Sequence, residues 1–290
     1  MDAHPKSTSS TIRISIAAVL LFQVSALFMR SVMEALLVTN GTDLAAAKYL
    51  GAASGFVALG LFLVPVIRDN WLGLKRQFAK HGSGLQLIAA SIALGALLWV
   101  ANSQVLLLAS TLDWLTVADQ LHAAVPVYNF ACSGESILLL AVPIMSVLTP
   151  VFEETCSRGL ILQSLLPRGR LRAILISSVL FTILHKPETY ATAFVFSLFV
   201  ATQALNWRSL WGPIVTHGTF NLLVEFERTC IDAYWLAGRV QWEVGSVLQI
   251  SLSVLAFCLL ISCWLVSAQK LGTTCVSAAP TRSPVNLKKR

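Results

Sequence analysis

Apolar residues run along this chain in long blocks, at about 12–38, 46–67, 85–110, 134–166, 172–186, 189–205, 209–226 and 244–268. Most are near or above the ~20 residues that a helix needs to cross a bilayer. The pattern predicts an all-α, polytopic transmembrane bundle of about eight helices. Pro143 and Pro150 fall inside the fourth block, so a kink is expected there. The fifth block is short, ~22 Å at about 1.5 Å per residue, for a full crossing.

Composition agrees with the pattern. Of 290 residues, 56% are hydrophobic and 12% charged, with a mean hydropathy of +0.73. Soluble domains carry about 25% charged residues. One domain is expected: a cytoplasmic N-terminal tail at 1–11, a bundle at 12–268 with its core at about 134–226, and a basic, disordered cytoplasmic tail at 269–290. The first block exceeds the ~7–15-residue apolar region of a signal peptide, so it reads as an uncleaved helix. Residues 70–82, "NWLGLKRQFAKHG", read as a basic segment lying on the inner leaflet.

Charge sets an expected orientation for an integral membrane protein (of the plasma or inner membrane, if the source is bacterial). Of the 21 Lys and Arg residues, Arg30 and Arg158 lie within apolar blocks; with a cytoplasmic N-terminus, fifteen others fall inside and four outside. That is a strong positive-inside bias. It accounts for the net charge of +7, and no aromatic-stacking or groove-reading motif points to nucleic acid. The expected partners are membrane lipid and a peptide or membrane-protein substrate. The six cysteines show no zinc-ribbon spacing. Cys132 and Cys230 fall in outer connections, where a disulfide and two free thiols are both open.

Against this apolar background, polar groups at helical spacing stand out. "PVFEETCSRGLILQSLL" carries Glu153, Glu154 and Arg158; "SSVLFTILH" ends in His185; "THGTFN" carries His217 and Asn221. Residues four apart share a helix face. Counted from the Arg168–Arg172 boundary and from Arg208, all lie ~13–20 Å deep by helical rise. One cluster is therefore expected. Asn221 alone would read as interhelical glue, Glu154–Arg158 as a neutralised structural pair, and Arg30–Glu34 as another. Two histidines, an unpaired glutamate and a carboxamide at one depth point to chemistry. Glu153 suits a buried general base acting on water, His185 a group that shares and orients that water, and His217 with Asn221 donors to a tetrahedral oxyanion. A water-filled cavity reaching all four and open on one aqueous face is expected.

The three stretches, in this order, resemble the EExxxR, FxxxH and HxxxN motifs of the CAAX protease and bacteriocin-processing family of intramembrane endopeptidases, across residues 150–224. The resemblance implies an eight-helix endopeptidase of the CAAX-type or precursor-processing kind. Glu153 and His185 would activate water, His217 and Asn221 would form the oxyanion hole, and Glu154 and Arg158 would support the site. Ser157 stands where an aromatic is common, and Arg208 where a glycine is common. No cofactor is expected; the alternative is a zinc-dependent protease with Glu153, His185 and His217 as ligands, although the sequence lacks HExxH. Non-proteolytic alternatives are a proton-coupled transporter, which would repeat the polar residues in both halves and is disfavoured because the cluster lies in the second half only, and an immunity scaffold.

Overall fold

The computed structural model describes residues 14–78, 84–111, 126–130 and 135–235. Helix α1 spans Ile16–Thr39, α2 Leu44–Asp69, α3 Trp71–Phe78 and α4 Gly84–Thr111. Helix α5 covers 135–165, α6 Arg170–Thr182, α7 Tyr190–Trp207 and α8 Trp211–Cys230. The first seven apolar blocks are thus helices. The eighth, 244–268, lies outside the described residues, as do both tails. Four helical stretches are long and apolar enough to cross a membrane: Ile16–Thr39, Leu44–Asp69, Gly84–Asn102 and Leu138–Arg168. Their outer faces fit lipid rather than water: Phe28 is 67% exposed and Leu61 68%.

Caps and breakers set the helix ends. Ser15 accepts from the Ala18 amide to start α1, and Asp43 accepts from the Ala45 and Ala46 amides to start α2. Helix α3 covers the described part of the basic segment 70–82, and its Leu74 is buried. Helix α7 ends at Arg208, whose φ of +49° is left-handed. A side chain with a Cβ adopts that conformation at a cost of roughly 1–2 kcal/mol.

Helix α5 runs through both prolines as alternating segments. Glu135–Ala141, Thr149–Glu154 and Gln163–Leu165 are α-helical, while Val142–Leu148 and Thr155–Leu162 are π-helical. Proline lacks an N–H and crowds the carbonyl four residues back; a wider turn relieves that contact. The Thr149 hydroxyl donates to the Ile144 carbonyl at 2.9 Å inside the widened region. Helix α6 is shorter than its apolar block, 13 residues or ~20 Å by rise.

One feature is absent from the expected all-helical pattern. Strand β1 (Pro126–Phe130) pairs antiparallel with β2 (Ile231–Trp235), Phe130 opposite Ile231 and Pro126 opposite Trp235. The ladder joins the segment before α5 to the segment after α8. Five-residue strands are too short to register in hydropathy blocks that average over a membrane span. Cys132 lies outside the described residues, and its pairing with Cys230 with it.

Helix pairs approach through small residues. A Cβ on Gly51 of α2 would stand 2.9 Å from the Arg30 carbonyl oxygen, and one on Gly55 would stand 2.8 Å from that of Ala26. "GAASG" is therefore a small-residue groove that receives α1 along the turns bearing Ala26, Arg30 and Glu34. The main core gathers Leu59 and Leu63 of α2, Leu74 of α3, Leu160–Leu162 of α5, and Ala201 and Leu205 of α7. A second buried cluster holds Leu98 of α4, Phe181 of α6, and Phe196 and Val200 of α7. The polar residues assemble beside this second cluster.

Candidate active site

Helix α8 is clamped on both sides of His217. A Cβ on Gly95 of α4 would lie 2.5 Å from the Thr216 carbonyl oxygen, and one on Gly218 would lie 2.6 Å from the Ser146 carbonyl oxygen in the first π-helical segment of α5. A buried polar network sets the rotation of α8: the Thr216 hydroxyl lies 3.0 Å from Gln203 Oε1 and 3.1 Å from the Ser91 carbonyl, and Gln203 Nε2 donates to Ser91 Oγ at 3.2 Å. Buried hydrogen-bonded groups of this kind cost free energy when mispaired, so the helix cannot rotate freely. His217 is thereby turned toward α5.

There it meets two carboxylates. Nδ1 of His217 donates to Oε1 of Glu154 at 2.7 Å, while its Nε2 lies 3.9 Å from Oε2 of Glu153. Glu154 and Arg158 form the expected ion pair, Nη1 to Oε1 at 3.2 Å and Nε to Oε2 at 3.1 Å, with side chains 0% and 1% exposed. Arg158 also donates from Nη2 to Ser197 Oγ at 2.9 Å. Its Cζ lies 4.5 Å from the centre of the Phe181 ring, within cation–π range. Glu153 differs from its neighbour in exposure, 25% against 0%, and in having no arginine beside it; the Oε2 atoms of both lack a hydrogen bond, but that of Glu154 is ion-paired to Arg158.

His185 takes a different place from the one its spacing predicts. Helix α6 ends at Thr182, so His185 lies in the turn beyond it instead of on a helix face. Its Nδ1 donates to the Phe181 carbonyl at 2.9 Å, and its amide donates to the Thr182 carbonyl at 2.9 Å. The cause is Pro187, which holds Lys186 extended at φ −74°, ψ 144°. The ring still adjoins the cluster: its centre is 4.5 Å from that of Phe181, whose own centre is 6.1 Å from that of His217. With Nδ1 protonated toward a carbonyl, Nε2 is left as an acceptor. Asn221, one turn beyond His217, donates from Nδ2 to the Met145 carbonyl at 2.8 Å, again within the first π-helical segment.

The cluster thus unites Glu153, Glu154, Arg158 and His217 directly. His185 joins through Phe181, and Asn221 borders the cluster from the same helix as His217. Sequence reasoning missed the partnership of Glu154 with His217, because no spacing rule links residues 63 positions apart. It also gave no part to Phe181 and Phe196, although Phe181 is the aromatic of FxxxH; Phe196 lies 4.9 Å from His217, centre to centre. Ser197, a polar residue in an apolar run, was the available sign of a group facing Arg158. Glu225, eight residues after His217 on α8, is buried and accepts from the Tyr49 hydroxyl at 2.5 Å.

As for a metal, no group of three or more His, Cys, Asp or Glu side chains among the described residues is placed to hold one. Glu153 and His217 face one another, whereas Nδ1 of His185 is committed to its own helix end. A cavity of about 370 Å³ lies at the basic end of the bundle, lined by Arg76, Arg170 and Arg208 among others, and none of Glu153, His185, His217 or Asn221 lines it. It is not the cavity expected from the sequence.

Residues 135–223, 89 of the 290, match the family model of type II CAAX prenyl endopeptidase Rce1-like proteins. All six candidate residues fall within this segment, and the resemblance read from the three motifs is the same family. The match bears out a protease-family segment within a membrane protein, which supports a CAAX-type intramembrane protease in general terms. No curated protein and no solved structure matches the chain significantly.

Proposed function

We propose that this chain is an intramembrane endopeptidase that hydrolyses a peptide bond of a membrane-associated protein or peptide, CAAX-type or precursor-processing, with Glu153 as the base. The observation that carries this reading is the pair of adjacent carboxylates around one imidazole, Glu154 at 2.7 Å and Glu153 at 3.9 Å. The two glutamates have different environments. Glu154 is fully buried and held by the Arg158 ion pair and His217, whereas Glu153 is 25% exposed and has no arginine beside it. Only the second is available to take a proton from water.

Glu154 accepts from Nδ1–H and orients the ring, which leaves Nε2, beside Glu153, as the atom assigned to the oxyanion. When Nε2 carries a proton, it stabilises negative charge as it develops on the scissile carbonyl oxygen, together with the remaining N–H of Asn221. His185 Nε2 accepts from the same water. Water attacks the carbonyl carbon while Glu153 takes its proton. Collapse of the tetrahedral intermediate then breaks the C–N bond as the leaving nitrogen receives a proton from Glu153.

This cycle runs without a metal, and the arrangement of ligands supports that choice: two groups face one another and the third is turned to a backbone carbonyl. The test is proteomics of membranes from wild-type and Glu153→Gln cells. A precursor that accumulates uncut in the variant, at equal protein abundance, is the expected result. Identical peptide profiles in the two would remove the proposal.

A further inference from the structure

The 370 Å³ cavity is separate from the carboxylate–imidazole cluster and has its own chemistry. Three connections meet at it: α3, the turn into α6 and the turn between α7 and α8. They contribute Arg76, Arg170 and Arg208, together with Gln163 and Ser209, and the lining holds no carboxylate. Its walls are fastened. The Gln77 carbonyl accepts from the Leu210 amide at 2.9 Å, Gln77 Nε2 donates to the Gly159 carbonyl at 3.2 Å, and Trp211 Nε1 donates to the Phe78 carbonyl at 3.0 Å. Arg208 is held there by a left-handed backbone, φ +49°, that a glycine would adopt without strain.

The surroundings identify the ligand. Two membrane-length stretches, Leu44–Asp69 and Leu138–Arg168, end at this level. Large apolar side chains next to the cavity-lining segments are exposed: Leu72 67%, Leu171 60% and Trp211 47%. A cationic, polar hollow with an apolar rim at the end of membrane-length helices complements a phosphate headgroup whose acyl chains continue along the helices. We propose that this cavity is a binding site for one anionic phospholipid, gripped at its phosphate by Arg76, Arg170 and Arg208. Gln77 would feel the occupant, because it ties the cavity wall to Gly159, the residue after Arg158.

The proposal is tested on full-length protein, delipidated in neutral detergent and incubated with phosphatidylglycerol or phosphatidylcholine micelles, with retained lipid counted by native mass spectrometry. Wild type should keep one phosphatidylglycerol and no phosphatidylcholine. The triple variant R76Q/R170Q/R208Q should lose retention at least about tenfold. A control that removes three exposed charges from the same end, R68Q/R168Q/R172Q, should stay within about twofold of wild type. Leu166→Trp, which places a bulky ring in the cavity lining without changing its charge, should also weaken lipid retention, and it carries the test if the triple variant is not monodisperse. Equal loss in the two triple variants, equal retention of the two lipids, unchanged retention in Leu166→Trp, or displacement by millimolar inorganic phosphate would each overturn it. The last outcome would assign the arginines to a free anion.

Discussion

Nδ1 of His217 and Oε1 of Glu154 stand 2.7 Å apart, both buried, although 63 positions separate them in the chain. That bond makes the Glu154–Arg158 pair more than a local neutralisation. It orients the imidazole, holds Nδ1–H against Glu154 and leaves Nε2 facing Glu153.

Removing the charge of Glu154 should therefore cost both stability and activity. In Glu154→Gln, Arg158 keeps a buried charge without its counterion, and breaking such a pair costs about 3–5 kcal/mol. Unfolding in mixed micelles should show a loss of that order, whereas Glu153→Gln, at a partly exposed position with only a long 3.9 Å contact to His217, should unfold close to wild type. Similar stabilities for the two variants would contradict the division of labour between the glutamates.

Asn221 separates packing from catalysis. Its bond to the Met145 carbonyl is a single neutral hydrogen bond, worth about 1 kcal/mol to stability. If its second N–H serves the oxyanion, Asn221→Ala should lower kcat by roughly 10²–10³ with little change in KM. A kcat drop no larger than the fall in folded fraction would assign Asn221 to helix packing alone.

Gly218 tests how closely α8 must approach α5. A methyl group there would meet the Ser146 carbonyl oxygen at 2.6 Å, so the helices must separate. Overpacking of this kind costs about 1–3 kcal/mol. Gly218→Ala should lower the unfolding midpoint and reduce turnover as His217 moves with the helix. The same substitution at Gly41, where an added Cβ has no neighbour within 4 Å but φ is +84°, should cost stability through backbone strain and leave turnover per folded molecule intact.

Chelation distinguishes the two forms of hydrolysis. Exhaustive EDTA and phenanthroline treatment should leave cleavage unchanged, and metal analysis should find no stoichiometric zinc. Loss of cleavage restored by zinc alone would instead recruit Glu153 and His217 as ligands.

By itself the sequence determined the membrane bundle, the helix positions over the first seven apolar blocks and the segment that holds the site. Those properties follow from local quantities: block length against bilayer thickness, and four-residue spacing on a helix. The Glu154–Arg158 pair was legible for the same reason. The fate of His185 was only half legible, since Pro187 marked a helix end without showing that the imidazole would turn back to the Phe181 carbonyl. Tertiary structure alone decided the Glu154–His217 bond, the hold of Ser197 on Arg158 and the meeting of three basic connections around one cavity. Each of these depends on how close two helices come and how they are rotated. Gly95, Gly218 and the Ser91–Gln203–Thr216 network control that approach, and no periodicity along a single strand of sequence records which partners such residues will face.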